Sequence, residues 1–594
     1  MESPELLGTV EPVEVRTPSA GPPDRILALS GLAVGIALLA ALAAQILVRL
    51  IGFITNLAFY SRFSFAFSSP ADNHLGLSVI FVPIIGALIV GLMARFGSSA
   101  IRGHGIPEAM EQVLLNESRI PPRITFLKPV SAAIAIGTGG PFGAEGPIIA
   151  TGGALGSLIG QIRRTTAIER KILLAAGAAA GMAATFGTPV SAVLLAIELL
   201  LFEYSPRAII PVSLASVTAT GIRAAFNGWT PIFAMPTVAP PSGVDIAVYV
   251  GLGFVIGLAA VVITRTLFAI EDAFERLPMH WMWWPAIGAV AVGIMGYFSP
   301  HSLGVGYDNI DRILGGQIVG WSLLLLVIGK LISWEIALAS GTSGGTLAPL
   351  MTIGGGFGAL IGTLVHVDPR MAALVGMAAM FAGASHAVLA SAVFAFEATR
   401  QPNGLLPVLA GCATAYLVSL RLMPHSIMTE KLARRGTRIR GEMHADLLER
   451  ILVRDIASKS PVMLRAEDAV EEVRDWMVGR APGSTHQGFP VIDAKGQIVG
   501  VVTRRDLLDL ELPMTAIVAD LVKRPPVVIF DDNSAREAAN HMVREDVGRL
   551  PVVTRDHPRT VIGMLSRSDL LGATRDQTLN RLATVRSRSA ESAR

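Results

Sequence analysis

Residues 146–160 read GPIIATGGALGSLIG and residues 348–362 read APLMTIGGGFGALIG. At a constant offset of 202 (349 − 147 = 362 − 160), Pro147 falls on Pro349, Gly152 on Gly354, Gly156 on Gly358 and Gly160 on Gly362. A second pair follows: Gly177–Glu198 matches Gly376–Glu397 at an offset of 199 (397 − 198), and both copies end on a carboxylate. A Gly/Ala bias alone would not hold prolines and glutamates in register, so the chain contains two homologous halves. Apolar repeats interrupted by Gly and Pro build sites at the interface between the halves. The cause is backbone satisfaction: non-helical backbone at membrane depth survives only inside protein or beside a polar cavity. A helix that begins there points unpaired N–H groups into the cavity and carries a partial positive charge, which favours an anion. Close helix packing explains glycines such as Gly156 and Gly160. It does not explain a carboxylate, Glu145, set between Gly143 and Gly146.

Composition agrees with a membrane location. The 594 residues are 52% hydrophobic and 16% charged, against about 25% charged in soluble domains. The apolar excess ends near residue 425. Ile26–Leu50, Leu77–Ala94, Ala247–Leu267 and Trp321–Leu338 are each near the length of about 20 residues that crosses a bilayer. The leader before the first is acidic and proline-rich, not the basic start of a cleaved signal. Basic clusters at Arg95–Arg102, Arg163–Lys171 and Lys431–Arg440 sit at segment ends and mark cytoplasmic loops. The net charge of +3 is therefore no nucleic-acid footprint. Both termini are expected in the cytoplasm, in a plasma or inner membrane. Cys412 is the only cysteine, which excludes an intrachain disulfide and a Cys-based metal site. The expected divisions are a leader at 1–24, a membrane domain at 25–436, two α/β units at 437–511 and 512–574, and a basic tail at 575–594.

Three glycine-rich motifs line up: Gly103-His104-Gly105-Ile106-Pro107-Glu108, Gly143-Ala144-Glu145-Gly146-Pro147 and Gly345-Thr346-Leu347-Ala348-Pro349. In kind, order and spacing this set resembles the GSGIPE, GREGP and GxFxP signatures of the CLC chloride channel and transporter family. The resemblance covers roughly residues 26–435, and residues 423–436 are similar to the family's last inward-facing helix. It implies an α-helical polytopic membrane protein of two inverted repeats with broken helices. It also implies a pore inside each subunit of a homodimer, carrying chloride or a similar small anion.

By the same resemblance Glu145 is the gate. The anion sites fall to His104, Gly105, Ala144, Gly146, Thr346, Leu347 and Met428. Here the chain departs from the pattern. His104 stands where the family commonly has a serine, and Leu347 where it has an aromatic residue. Met428, or His425 if the alignment slips, stands where it has a tyrosine. His104 either restores a donor or is a histidine of the aqueous vestibule. Leu199 occupies the position of the inner proton glutamate common in exchangers, so channel-like conduction is expected over H+/Cl− exchange. Glu335 is a substitute proton relay or a paired or water-exposed carboxylate near a helix end. Glu198 and Glu397 read as partners of backbone donors in each repeat.

The C-terminal third also repeats. Val453-Arg-Asp455-Ile456 recurs as Val518-Ala-Asp520-Leu521, and Gly488-Phe-Pro490-Val491 as Arg549-Leu-Pro551-Val552. Gly500-Val-Val-Thr503-Arg-Arg-Asp506 recurs as Gly563-Met-Leu-Ser566-Arg-Ser-Asp569. Each unit reads helix, strand, helix, strand, strand, helix, with a turn at Lys495-Gly496. This resembles a tandem CBS pair, in which an Asp three residues after Ser or Thr often holds the ribose of an adenine nucleotide (ATP, ADP or AMP). Thr503, Asp506, Ser566 and Asp569 are the candidates, and the same residues are suited to cap the following helices. With no phosphate-binding Gly-Lys loop and no nucleophile constellation, the chain does not read as an enzyme. A rival class, a CBS-bearing divalent-cation channel or transporter, would need clustered acidic residues facing the membrane core. A second rival is a membrane-anchored nucleotide sensor with a purely structural membrane domain, and Glu145 at a broken helix argues against it.

Overall fold

The structure is a computed structural model that describes residues 26–163, 165–435, 448, 451–509, 513 and 515–573. The leader at 1–24, the tail at 575–594 and the junction at 436/437 lie outside the described residues. Two compact units are present, one within 25–443 and one within 444–594.

The first half of the membrane unit runs α1 (Ile26–Tyr60), α2 (Phe81–Phe96), α3 (Ile106–Leu115), α4 (Ile124–Gly137), α5 (Glu145–Ile162), α6 (Ala167–Phe186), α7 (Pro189–Ala196) and α8 (Pro206–Asn227). The second half repeats the order: α9 (Gly243–Glu275), α10 (Trp284–Phe298), α11 (Tyr307–Leu314), α12 (Gly320–Ala339), α13 (Leu347–Leu364), α14 (Pro369–Ser385), α15 (Val388–Thr399) and α16 (Leu405–Leu422). A short α17 (Glu430–Arg434) follows. Among the described residues, eight helices are long and apolar enough to cross a bilayer. Others are not. The ten residues of α3 reach about 15 Å, half of a hydrocarbon core of about 30 Å; the helix starts buried at Ile106 and Pro107 and ends exposed at Leu114 and Leu115.

Repeated glycines set the helix crossings. A Cβ on Gly152 would stand 2.1 Å from the Gly177 carbonyl oxygen, and one on Gly177 2.0 Å from that of Gly152. The second half repeats this with Gly354 and Gly376, at 2.5 and 2.3 Å. So α5 packs on α6, and α13 on α14, backbone against backbone.

The halves are joined by reciprocal contacts. Glu198, in a π-helical turn after α7, accepts the backbone N–H groups of Leu389 and Ala390, each at 3.1 Å. Glu397, near the end of α15, accepts those of Val190 and Ser191 at 3.0 and 2.8 Å. Each carboxylate thus caps the first turn of the equivalent helix in the other half, where no intrahelical acceptor exists. Gly143 and Gly345 likewise exchange both backbone hydrogen bonds, at 3.2 and 2.9 Å. Such mutual exchange is locally two-fold, the arrangement expected where two inverted repeats meet.

The C-terminal unit holds two three-stranded sheets. In the first, β1 (Leu464–Arg465) is parallel to β2 (Gly488–Ile492), which is antiparallel to β3 (Ile498–Thr503). In the second, β4 (Ile529–Phe530), β5 (Arg549–Val553) and β6 (Val561–Ser566) repeat that order. Both sheets break register at the same place, Val491/Ile492 and Val552/Val553. Amphipathic helices at Val470–Val478 and Ala535–Arg544 precede the two hairpins and bury Val473, Met477, Ala538 and Met542.

Gly177→Val is expected to destabilise the membrane unit by about 3 kcal/mol, the upper range for overpacking. Gly153→Ala, whose Cβ meets nothing nearer than 3.5 Å, should be close to neutral. Thermal unfolding of the two variants in detergent checks the contrast.

Candidate functional site

Glu145 is the first residue of α5 and is fully buried. Glycine is needed before it, because a Cβ on Gly143 would sit 1.6 Å from Glu145 Oε2. Glu145 Oε1 accepts a hydrogen bond from the Tyr307 hydroxyl at 2.8 Å, while Oε2 has no partner.

Tyr307 opens α11, and its ring lies edge-on to Phe186 and Phe233, with centroids 5.9 and 6.0 Å away. The loop before it is gripped from α12. The buried ammonium of Lys330 donates to the carbonyls of Ser302, Gly304 and Val305 at 3.2, 2.6 and 3.4 Å. The first half does the same thing: buried Lys128 of α4 donates to the carbonyls of Ile101 and Gly103, both at 2.8 Å. A buried ammonium is tolerable only when so bonded. Both gripped loops end on a glycine with positive φ, Gly105 at 97° and Gly306 at 80°, which turns the chain into α3 and α11. Glu108 completes the first of these by accepting the Gly105 N–H at 2.6 Å.

Four helix starts therefore meet. A Cβ on Gly105 would be 2.4 Å from the Gly146 carbonyl oxygen. One on Gly146 would be 2.0 Å from that of His104 and 3.0 Å from Gly345 Cα. With the Gly143–Gly345 pair and the Tyr307–Glu145 bond, these contacts gather the N-terminal ends of α3, α5, α11 and α13. Each brings partial positive charge. One unpartnered buried polar atom comes from each motif: His104 Nδ1, Glu145 Oε2 and Thr346 Oγ1. The arrangement suits a small anion bound by backbone dipoles, with a carboxylate as its occupant in this state.

Among the residues singled out by sequence, Gly105, Ala144, Gly146 and Thr346 are at these helix starts, and Leu347 is the first, fully buried residue of α13. His104 is 2% exposed, which does not suit the vestibule reading. Met428 is buried in the turn before α17, its N–H held by the Ser426 hydroxyl at 3.3 Å. Leu199 is buried in the π-helical turn. Glu335 accepts the Thr266 hydroxyl at 2.7 Å and is 8% exposed, a paired carboxylate. Cys412 is buried.

Tyr307, Lys128 and Lys330 escape the motif reading. Their signal is in the repeat: Gly304-Val305-Gly306-Tyr307 echoes Gly103-His104-Gly105-Ile106 at an offset of 201 (304 − 103), and the lysines are 202 apart (330 − 128).

In the C-terminal unit the two aspartates are taken up locally. Asp506 accepts the Thr503 N–H at 3.0 Å, also takes the Thr503 hydroxyl, and pairs with Lys523 at 3.2 Å. Asp569 accepts the Ser566 N–H and hydroxyl at 2.7 and 2.8 Å. Both are helix caps. Thr503 also lines a cavity of about 390 Å³ together with Arg505, Arg524, Gly548 and Arg549. Arg549 Nη1 is buried there without a partner, and burial presses the guanidinium pKa down.

The fold and site define an integral membrane protein of two inverted repeats whose broken helices converge on a buried carboxylate. The chain belongs to the voltage gated chloride channel family, whose model matches residues 85–420. CBS domain models match residues 453–512 and 518–576. It is 28% identical over 379 residues to the H(+)/Cl(-) exchange transporter ClcA of Vibrio parahaemolyticus, covering 61% of this chain and 80% of that one. It is 28% identical over 374 residues to the chloride channel protein CLC-f of Arabidopsis thaliana, covering 57% of this chain and 47% of that one. The crystal structure of a slow cyanobacterial Cl-/H+ antiporter superposes with a TM-score of 0.61 at 24% identity, over 70% of this chain and 98% of that chain.

Partial burial opposes ionisation of Asp506, but the Thr503 hydroxyl and N–H and the Lys523 ammonium outweigh it and hold the pKa below the usual aspartate value. The stabilisation from this cap is therefore present above about pH 4, the unfolded value. It is lost as pH falls through the lowered folded value. Asp506→Asn should cost about 1 kcal/mol at neutral pH, with the deficit shrinking in acid. Calorimetry of the C-terminal transition in the full-length protein measures both.

Proposed function

We propose that the protein carries chloride or a similar small anion through a path inside each subunit, with Glu145 as the gate. The observation that supports this most is the fully buried Glu145 carboxyl, bonded on one oxygen only, at the meeting of four helix N-termini. A carboxylate there imitates a bound anion. When a proton neutralises it or the side chain swings away, the same N–H groups receive the permeant ion. Ionisable groups inside a membrane carry function by default, and the Lys330 ammonium acts on this one through space, its hydrogen bonds going to loop carbonyls.

Conduction without obligatory proton exchange fits the interior better. Leu199 lies buried where an inner proton carrier would be expected, and the Glu335 carboxyl is held by Thr266. The exchanger reading is favoured by relatives that bear that name. A cation pathway is opposed by the same helix N-termini, whose partial positive charge favours an anion. A homodimer in a plasma or inner membrane, with both termini cytoplasmic, completes the reading.

Flux from proteoliposomes with a proton probe decides between the two modes. Glu145→Gln should keep or raise anion flux and lose its pH dependence, since the amide neither competes with the anion nor titrates. A folded variant without anion flux would overturn the gate. Uphill proton movement driven by an anion gradient would replace conduction with exchange and make Glu335→Gln the next variant.

The CBS pair is read as a regulatory site for an adenine nucleotide that is bound and not consumed. The cavity beside Thr503, with Arg505, Arg524 and Arg549 on its wall, suits the phosphates. Arg549→Ala is expected to weaken ATP or ADP binding to the full-length protein about tenfold or more, the scale of a charge-assisted hydrogen bond. Calorimetry with no heat at millimolar nucleotide would remove the ligand from the reading.

A further inference from the structure

The gate can open only if the bond between Tyr307 and Glu145 breaks, and the two partners differ in freedom. Glu145 has one side-chain partner at its tip, the Tyr307 hydroxyl at 2.8 Å, with the backbone N–H groups of Glu145 and Ala348 also turned to the carboxylate. Tyr307 is fixed by structure that does not involve the gate. Its ring lies against Phe186 and Phe233, and Phe186 is braced in turn by Phe394, centroid to centroid 4.9 Å. Its backbone follows a loop whose carbonyls Lys330 grips. When the carboxylate leaves, the hydroxyl stays, aimed at the vacated position with no acceptor.

We infer that Tyr307 is both the latch of the Glu145 gate and, once the gate opens, the side-chain hydroxyl that donates to the anion in its place. This rests on the reading of Glu145 as the gate and adds a ligand to it. It also accounts for the chain's departures from the motif pattern. His104 and Met428 bring no hydroxyl to the anion path, and α11 supplies one from the opposite half of the repeat. A hydrogen bond to a charged acceptor is worth more than one between neutral groups, so the latch favours the closed, ionised gate and opposes its opening at neutral pH.

Other ionisable groups surround the gate: His104 before α3, Glu108 of α3, Lys128 of α4, Asp308 of α11 and Lys330 of α12. Asp308 is engaged by the Ser69 hydroxyl at 3.1 Å, Glu108 by the Gly105 N–H, and the lysines by carbonyls. All of them remain in a Tyr307→Phe variant, which also keeps the ring. A change in its pH profile therefore reports the lost hydroxyl.

In reconstituted full-length protein, Tyr307→Phe should raise chloride flux at neutral pH about tenfold and move the acid-activation curve to higher pH. In a Glu145→Ala background, where nothing competes for the site, Tyr307→Phe should instead weaken apparent chloride affinity about tenfold. Tyr307→Phe keeps the ring packed on Phe186 and Phe233, and a thermal unfolding midpoint in detergent near that of the wild type serves as the folding control. A Tyr307→Phe protein with wild-type flux, pH profile and affinity overturns the latch while the gate stands. A folded Glu145→Ala protein that carries no chloride overturns the gate and the latch together.

Discussion

A helix that begins inside a membrane leaves backbone N–H groups that no water can satisfy, and the architecture of this protein follows from how each such end is treated. At α7 and α15 the solution is fixed: Glu397 and Glu198 each take two N–H groups of the other half. At α3 the chain turns back on itself, with Glu108 on the Gly105 N–H. At α5 and α13 no such permanent acceptor is built in. The carboxylate of Glu145 stands there with one side-chain donor, the Tyr307 hydroxyl, beside the N–H groups of its own helix start and of Ala348. A charged hydrogen bond contributes about 1.5–3 kcal/mol. A carboxylate with both oxygens hydrogen-bonded to N–H groups is therefore a joint, whereas one with Oε2 lacking a hydrogen bond can be released by a proton or displaced by an anion.

Buried lysines make the open ends possible. Lys128 and Lys330 interact through space with carboxylates, Glu108 for the first and Asp308 and Glu145 for the second, but their hydrogen bonds go to the carbonyls of the loop before a half-helix. Those carbonyls would otherwise lie beside the anion path with unsatisfied negative ends, and burying such groups costs about 1–3 kcal/mol each. The lysines satisfy them from behind and leave the N–H ends pointing forward. The local field thus becomes positive without a side-chain cation in the path.

Much of this was legible in the residues. The 202-residue offset foretold two homologous halves, and Glu198 and Glu397 at equivalent positions read as partners of backbone donors, without showing that each reaches into the other half. Glu145 between two glycines was legible because a carboxylate at a broken helix has few structural excuses. Tyr307 was not. Its motif copy keeps the two positive-φ glycines but replaces Pro107 and Glu108 by Asp308 and Asn309, so the pattern fades while the backbone shape persists. Lys128 and Lys330 stayed hidden because a lone lysine in an apolar helix announces no partner, and carbonyls from a loop leave no trace in a sequence. In the C-terminal unit the Thr503-to-Asp506 spacing served two readings equally. The structure accounts for the aspartates as caps and puts three arginines, invisible as a set in sequence, around the neighbouring cavity.

The repeat is most informative where it breaks its own symmetry. At the offset of 202, Glu145 faces Leu347 (347 − 145), and at 201 Tyr307 faces Ile106 (307 − 106). Carboxylates at both 145 and 347 would set two like charges beside the Gly143–Gly345 axis and push one toward its neutral form. Hydroxyls at both 106 and 307 would latch a gate from two sides. The chain keeps one of each and takes them from opposite halves, so the Tyr307–Glu145 bond spans the interface that the reciprocal glutamates and the paired glycines hold shut. Its length is therefore sensitive to how the two halves are packed. Any displacement of α11 relative to α5 acts on the gate directly, before it disturbs the backbone N–H groups that would hold the ion.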